Sequence, residues 1–453
     1  MTVPREATIE IAATADGAVL VRLLHTSAPS EGMHDYIQLA VDPLQLPPLT
    51  DAASVAQHGR ELLKALQTHD AISSELQQIF RIPSPDTTSL EFAMSGTAGP
   101  DMRWEVICAE PPPDYLALTG RCSLKRIVPS KGPSHPGVRL FSGPVRLAAY
   151  LSPAGVPSKP EFDGLVAAVR GAHDKGLKVD AIVYLGEQDL LTEALQDAAA
   201  GKLPGITPRP IPSNAIDMEK SLIRDQAQIV HFFCHGDIQA NVHLLEMASI
   251  NDNDLAEEKG SITLSLERLR YALTATGAVW MTVLNSCSGA RSVRKLQSMA
   301  ATLASTASPT AIGMAEPIPD EQANLFAGRF YMRALDAIFS AIHELPPGQP
   351  VSIDFGFAVA HARMTMRDAA IAAAAAGGPD CFGNWCLPIL YQREGGLKVA
   401  RVADVDIGNR INEVAHALQA LPLGTPTALR DEFLALLDSV PAALRPDRFG
   451  TLP

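Results

Sequence analysis

The middle of the chain alternates short apolar runs with amphipathic segments. The runs VRLAAYL (145–151) and VDAIVYL (179–185) predict buried strands, while segments such as DLLTEALQDAAA (189–200) place apolar residues at helical spacing. Strands that alternate with helices are typical of a parallel sheet covered on both faces. The pattern therefore predicts an α/β fold, with a mostly parallel sheet and helices on both faces, over residues 145–398.

A smaller α+β subdomain is predicted for residues 1–128. Two alternating runs within 7–24 flank Asp16-Gly17, which is a strong hairpin signal. Leucines at helical spacing predict a helix over 58–80. The segment MRWEVICA (102–109) is expected to be a strand, in which Trp104 is interpreted as a buried aromatic and Glu105 as a locally paired carboxylate.

Proline and glycine divide the remaining regions. They predict a linker at 129–144 and a surface loop at 203–213. The last strand of the sheet is expected within WCLPILY (385–391), at an edge of the sheet because it contains Pro388. A helical tail is predicted for 399–453, with two short amphipathic helices that dock on the sheet or bind a partner. Their apolar faces are expected to consist of Ile411, Val414, Ala415 and Leu418 in the first helix, and Leu429, Phe433, Leu436, Leu437 and Val440 in the second.

Composition narrows the classes of function. With 453 residues, 47% of them apolar, the chain exceeds one typical domain and can bury a large core. A net charge of −13 argues against general binding to nucleic acid, and no apolar run is long enough to span a membrane. The N-terminus lacks the apolar region of a secretory signal. Six cysteines without a disulfide-like framework favour a reducing compartment, so the expected location is cytoplasmic. No cofactor or metal is expected, since Cys381-x4-Cys386 lacks a second pair of ligands.

Each of two apolar runs is followed in the sequence by one reactive residue. Ile229 to Phe233 leads into His235, and Val279 to Leu284 leads into Cys287. In open parallel sheets, reactive groups lie just beyond the carboxyl ends of the strands. The spacing of 52 residues between His235 and Cys287 is also close to the ~50 residues that separate histidine from cysteine in caspase-type sites. The two side chains are therefore expected to meet at one edge of the sheet.

A cysteine and a histidine in this arrangement can perform nucleophilic catalysis. A neighbouring imidazole and the start of the helix expected near Arg291 would both favour the thiolate of Cys287. The backbone N–H groups of Gly236 and Cys287 could form an oxyanion hole. Taken singly, a cysteine at a strand end is usually a small buried hydrophobe and a histidine beside glycine a loop residue.

Other cysteine chemistries fit less well. A tyrosine-phosphatase loop requires arginine six residues after the cysteine, and that position is Val293. A glutamine amidotransferase prefers glycine two residues before the nucleophile, and that position is Asn285. A metal shared by His231 and His235 is disfavoured, because the two side chains point to different sides of a strand-to-loop junction.

These motifs, in this order, resemble the CHAT domain, a caspase-like cysteine peptidase module of clan CD. The resemblance rests on HFFCHG, the helix LSLERLRYAL and VWMTVLNSCSGARS, together with RWEVICAEPPPDYLALTG, MAEPIPDEQANLFAGRFYMRAL and NWCLPILY. It covers roughly residues 6–395. A caspase-like sheet is therefore expected.

The resemblance implies that His235 is the general base and Cys287 the nucleophile of an endopeptidase that forms a thioester intermediate. Relatives are mostly bacterial, often cleave one dedicated protein, and several serve in defence or regulated cell death. An activating partner protein or signal is thus expected. The tetratricopeptide repeats that often act as sensors in the family are not visible here, so the sequence does not identify the activator.

Specificity and activity are left open. Many relatives carry Ser-Ala before the cysteine, where this chain has Asn285-Ser286. Asn285 and Asp237 are expected to bind substrate. Because Asn285 is neutral, it cannot confer a preference for cleavage after basic residues, although Asp237 could. The alternative function is a catalytically silent, caspase-like scaffold that binds partner proteins.

Overall fold

The computed structural model describes most of the chain. The residues outside the description are 1–4, 15–17, 28–32, 43–44, 84–85, 96–101, 110–111, 132–136, 241, 287–295, 403–404, 423, 439, 441–444 and 452–453. The strands in chain order are β1 (Arg5–Ala13), β2 (Val19–Thr26), β3 (Ile37–Gln38), β4 (Thr88–Ser95), β5 (Cys108–Ala109), β6 (Asp114–Tyr115), β7 (Cys122–Val128), β8 (Val138–Phe141), β9 (Val145–Leu151), β10 (Val179–Leu185), β11 (Ile206–Pro210), β12 (Ile229–Gln239), β13 (Val242–Met247), β14 (Ile262–Ser265), β15 (Met281–Ser286), β16 (Thr310–Met314), β17 (Pro350–Ile353), β18 (Pro388–Arg393) and β19 (Leu397–Arg401). The α-helices are α1 (Ala52–Leu66), α2 (Asp70–Phe80), α3 (Lys159–Asp174), α4 (Gln188–Ala199), α5 (Ala215–Asp225), α6 (Ile250–Asp254), α7 (Leu266–Thr276), α8 (Leu296–Thr306), α9 (Asp320–Ile342), α10 (Gly356–Ala375), α11 (Val405–Ala420) and α12 (Thr427–Ala435).

One large sheet organises the molecule. Its main path runs β11-β10-β9-β12-β15-β16-β18-β7-β4-β1-β2-β3. The strands from β11 to β16 are parallel to one another, and so are those from β18 to β1. The two parallel blocks run in opposite directions, because β16 and β18 pair antiparallel. Their carboxyl ends therefore lie at opposite edges of the sheet.

Helices cover both faces of the first block. Phe233 and Asn285 are paired in register and so share a face, and the Asn285 amide reaches α3 and α9 there. On the other face Tyr150 stacks on Phe232, and the Tyr150 hydroxyl bonds to Ser221 of α5. The predicted fold class, a mostly parallel sheet with helices on both faces, is confirmed.

The N-terminal region adds its strands to the same sheet. β7 pairs with β18, and β4 and β1 follow. β1 and β2 pair antiparallel, as the hairpin signal predicted, although Asp16 and Gly17 of the expected turn lie outside the described residues. The boundaries proposed for residues 1–128, 129–144, 145–398 and 399–453 remain predictions.

A second, three-stranded sheet has the order β17-β19-β8 and carries the tail. β8 belongs to the stretch predicted as a linker, and it is an edge strand. The two expected tail helices are present as α11 and α12. Their cluster with this sheet comprises Val138, Ala400, Val402, Ile411, Val414, Ala415, Leu418, Leu437 and Val440. Leu429 and Leu436 were expected on the buried face, yet they are 40% and 59% exposed.

The helix predicted over 58–80 is two helices. α1 ends at Leu66 and α2 begins at Asp70. Thr68 donates to the Ala65 carbonyl, and His69 caps α2 by accepting from the Ile72 N–H. Side chains that bond to nearby backbone end one helix and start the next.

The strand predicted over MRWEVICA is largely a 3₁₀ turn at Trp104–Val106, followed by the short β5. In a strand, neighbouring side chains point to opposite faces, whereas the turn lets Trp104 and Glu105 both be buried. Trp104 stacks on Phe92, and Glu105 forms an ion pair with Arg126 at 2.8 Å. The interpretation of these two residues is therefore confirmed, while the strand was wrong.

Two further predictions that were based on proline were wrong. The surface loop predicted at 203–213 contains β11, which pairs with β10 at the edge of the sheet, where missing N–H groups are tolerated. β18 was expected at an edge, but it lies between β16 and β7. Pro388 is its first residue, a position that proline can also occupy.

None of the helices in the described part of the chain is long and apolar enough to cross a membrane.

Candidate active site

The carboxyl ends of three neighbouring strands form the edge that the sequence singled out. β12 lies between β9 and β15, with Phe233 opposite Leu151 on one side and Asn285 on the other. Cys234 pairs with Ser286, the last described residue of β15. His235 comes next, one residue past the last pair with β15, so it stands at the predicted edge, although β12 itself continues to Gln239.

The imidazole of His235 is held by the backbone. Its Nε2 lies 2.8 Å from the carbonyl oxygen of Ala154, in the loop that follows β9. A carbonyl oxygen can only accept a hydrogen bond, so Nε2 carries the proton in the neutral ring. Nδ1 is then the basic nitrogen of that tautomer.

That loop is fixed in turn by buried bonds. The Ser152 N–H donates to the Phe233 carbonyl, and the Ser152 hydroxyl donates to the Ala248 carbonyl at 2.5 Å. Ser152 is fully buried. The carbonyl that holds His235 is therefore attached to rigid strands.

Cys287, the predicted nucleophile, lies outside the described residues. Its predecessor Ser286 ends β15, and the next described helix, α8, begins at Leu296. The start of the helix that was expected near Arg291 also falls outside the description.

Beyond His235, β12 continues into a hairpin with β13. Gly236 pairs with Leu245, so the predicted oxyanion donor belongs to this ladder. Asp237, with a side chain 25% exposed, accepts from the Ile238 N–H at 2.7 Å and lies 3.8 Å from Lys259 Nζ. Asp237 is thus partly exposed, and its carboxylate also accepts from the Gln239 amide at 2.8 Å.

Asn285 has a buried environment. Its side chain is fully buried, and Nδ2 donates to Glu161 Oε1 at 2.8 Å and to the Ala323 carbonyl at 3.0 Å. A substrate-facing role for Asn285 would require this amide to leave both partners.

Glu161 connects the two strands that lead to the site. Its Oε1 accepts from Asn285 of β15 and lies 2.9 Å from Nε2 of His231 of β12. His231 packs edge-on against Tyr331, whose pKa is raised well above its ordinary value by burial and by the charge of Glu161. Glu161, His231 and Tyr331 are fully buried. Glu161 was not among the predicted site residues, because a glutamate in the first turn of a helix usually interacts with the helix dipole.

The other cysteines are poor nucleophiles. Cys108, Cys122, Cys234 and Cys386 are buried. Burial raises the pKa of Cys122 and of Cys386 to about 12. Among the cysteines that the structure describes, Cys381 is the one that is partly exposed. Within the same residues, no group of three or more His, Cys, Asp and Glu side chains is placed to hold a metal ion.

The model of the CHAT domain family matches residues 124–343. No curated protein is significantly similar to the chain.

Among solved structures, the chain is similar to a chain of the Saccharomyces cerevisiae separase–securin complex at 2.6 Å resolution. The identity is 12% and the TM-score 0.33, over 84% of this chain and 22% of that one. For the same complex at 3.0 Å resolution, the identity is 12% and the TM-score 0.30, over 83% and 21%. The chain thus spans about a fifth of the length of these structures. The family match begins within β7 and continues to the end of α9, so it includes the strand of His235 and the position of Cys287. Over residues 124–343 the chain is therefore similar to the CHAT domain family, and the structure of this region is an α/β fold with a mostly parallel sheet.

Proposed function

We propose that the chain is a cysteine endopeptidase in which His235 and Cys287 act as a catalytic dyad. One observation supports this most directly. His235 follows Cys234, which pairs with Ser286 at the end of β15, and the residue after Ser286 in the sequence is Cys287. The bond from His235 Nε2 to the Ala154 carbonyl orients the ring, as the base of a nucleophilic pair requires.

In this mechanism, Nδ1 of His235 accepts the thiol proton of Cys287. The thiolate attacks the carbonyl carbon of the scissile peptide bond, and the oxyanion that forms accepts hydrogen bonds from the N–H groups of Gly236 and Cys287. The intermediate collapses to a thioester as the C–N bond breaks, and the imidazolium gives its proton to the leaving amine. Water, deprotonated by His235, then hydrolyses the thioester and releases the acid and the thiol.

The proposed substrate is a dedicated protein, and the proposed trigger is a partner protein or signal. Both follow from the resemblance to CHAT peptidases, as does a role in bacterial defence or regulated cell death. The partly exposed Asp237, close to His235 on the same hairpin, is the proposed contact for substrate. Asp237→Asn should raise KM for a basic peptide more than it lowers kcat.

Thiol alkylation tests the dyad without a known substrate. The intact protein is treated with a peptide-based electrophile at neutral pH, and the labelled cysteines are identified by mass spectrometry. We expect Cys287 to react first and Cys381 to report the background rate, because the other four cysteines are buried. His235→Ala should slow labelling of Cys287 at least tenfold. The control His25→Ala, at an exposed position, should leave the rate of labelling unchanged.

The alternative, a silent scaffold, predicts a different result. Cys287 would then react no faster than Cys381, and His235→Ala would have no effect. If this result persisted with candidate activating proteins present, it would refute the peptidase proposal.

A further inference from the structure

Two arginines are buried beside each other where the large sheet meets the three-stranded sheet. Arg139 belongs to β8 and Arg393 ends β18, and each side chain is 6% exposed. Nη1 of Arg139 donates to the Gly277 carbonyl, and Nε of Arg393 donates to the Ala304 carbonyl. Carbonyl oxygens satisfy part of each guanidinium, but they do not neutralise its charge.

No carboxylate in the described part of the chain lies within ion-pair distance of either guanidinium. Nη2 of Arg393 is buried and makes no hydrogen bond to any described residue. Residues 132–136, Gly-Pro-Ser-His-Pro, contribute no acidic side chain. Buried charges in proteins are normally paired, and among the residues that the structure describes these two arginines depart from that pattern.

Both guanidinium groups have a lowered pKa as a result. Burial lowers the pKa of Arg139 to about 10. Burial, together with the positive charge of Arg139, lowers the pKa of Arg393 to about 9. An anion between them would offset the repulsion and stabilise the charged form of both.

A cavity of about 310 Å³ opens at this point. Arg139 and Arg393 line it, together with the exposed Lys398 and Ser130, and the glycine turn at 395–396 forms one wall. Glu394 also lies on the lining, but it pairs with none of these cations. The cavity thus holds three cationic side chains against one acid, in a chain whose net charge is −13.

We propose that this cavity binds a phosphate-bearing small molecule, whose phosphate group is held by Arg139, Arg393 and Lys398. Guanidinium groups match phosphate oxygens in two-pronged hydrogen bonds, and lysine adds a point charge. The volume is near the lower end for small-molecule sites, about 300–1,000 Å³. A confined cavity does not suit a nucleic-acid duplex, which requires an extended basic surface.

This site is separate from the candidate active site. Gln392, next to Arg393, pairs with Thr310, the first residue of β16. The cavity therefore lies at the amino ends of the strands whose carboxyl ends carry His235, roughly 20 Å away, the length of an average strand. The proposal consequently does not depend on peptidase activity.

Calorimetric titration of the intact protein with inorganic phosphate and pyrophosphate tests it, in a chloride buffer. We expect saturable binding, tighter for pyrophosphate, that is at least tenfold weaker in Arg393→Gln. Lys398→Ala should weaken binding several-fold without affecting folding, because this side chain is exposed. The matched control Lys178→Ala, another exposed lysine, should bind like the wild type. Alkylation of Cys287 without ligand should be the same in all four proteins.

Three results would overturn the proposal. The first is no saturable binding of phosphate or pyrophosphate. The second is equal affinity of wild type and Lys398→Ala for pyrophosphate. This comparison would overturn the proposal even if Arg393→Gln does not fold. The third is binding of citrate without binding of either phosphate compound, since the site would then select carboxylates.

Discussion

At the scale of single residues, Glu161 links the chemistry of the site to the stability of the fold. One carboxylate oxygen contacts His231 on β12 and Asn285 on β15, four residues before His235 and two before Cys287. Glu161 therefore links the two strands at a fully buried position. Glu161 lies in the first turn of α3, where the helix dipole favours a negative charge.

Replacing Glu161 with alanine should destabilise the protein by about 1–3 kcal/mol, because the buried Asn285 amide loses one acceptor and the buried His231 ring loses the carboxylate beside it. Glu161→Gln keeps an acceptor oxygen and should cost less. Urea unfolding followed by circular dichroism measures the loss. Asp163→Ala, on the exposed side of the same helix, should change stability by no more than about 0.5 kcal/mol. Equal losses in Glu161→Ala and Asp163→Ala would show that the buried contact contributes nothing.

His58 should make stability fall in mild acid. Burial, together with the charge of Arg103, lowers its pKa, although the bond to the Pro47 carbonyl acts in the opposite direction. The folded state thus favours neutral His58, and the unfolded chain, with a pKa of about 6.5, binds the proton more tightly. This stabilisation is present above about pH 6.5 and is lost as pH falls below that value.

The test compares urea midpoints at pH 7.5 and pH 5.5. His58→Gln should lose less stability than wild type over this interval, by up to about 1.4 kcal/mol per pH unit below 6.5. His25→Gln, at an exposed position, should follow the wild type. A wild-type pH dependence that His58→Gln leaves unchanged would rule out this role.

At the scale of elements, apolar runs predicted the structure where burial alone decides it. β9 and β10 have the predicted bounds, and β12 places His235 at the predicted edge. Prediction failed where one side chain sets the local backbone, as at the Trp104 turn, or where proline occupies a tolerated position, as in β11 and β18. The Ala154 carbonyl and Glu161 were not predictable, because their partners are distant in sequence and any residue type has a carbonyl.

The tail helices provide a prediction about packing. Leu418 of α11 is 1% exposed and belongs to the cluster on the three-stranded sheet, whereas Leu429 of α12 is 40% exposed. Leu418→Ala should cost about 2–5 kcal/mol locally, since it leaves a cavity. Amide hydrogen exchange should then accelerate in α11 and α12 but not in β12. Leu429→Ala should leave exchange unchanged, and the docking of the tail is contradicted if both variants behave alike.

At the scale of the whole molecule, a buried ion network lies where the two parallel blocks join. Arg126 of β7 donates to Glu105 through Nε and Nη2, at 3.1 and 2.8 Å, and Arg363 of α10 lies 4.0 Å away. All three side chains are at most 1% exposed. Burial raises the pKa of Glu105, but the two arginines together outweigh it and hold the pKa below its ordinary value. The carboxylate is therefore charged at neutral pH.

This network should make the N-terminal strands and the strands β9 to β16 unfold together. Glu105→Ala removes the carboxylate that faces the buried guanidinium groups of Arg126 and Arg363, which should cost about 3–5 kcal/mol. Because β7 continues the sheet through β18, the loss should extend to both blocks, and hydrogen exchange should accelerate in Thr88–Ser95 and in Ile229–Phe233 alike. Asp368→Ala, which removes an exposed ion pair with Arg367, should cost no more than about 1 kcal/mol. If one block unfolded alone, the other would be left with an unpaired strand edge, which is unfavourable. Faster exchange confined to Thr88–Ser95 would therefore contradict the prediction and show that residues 1–128 unfold independently.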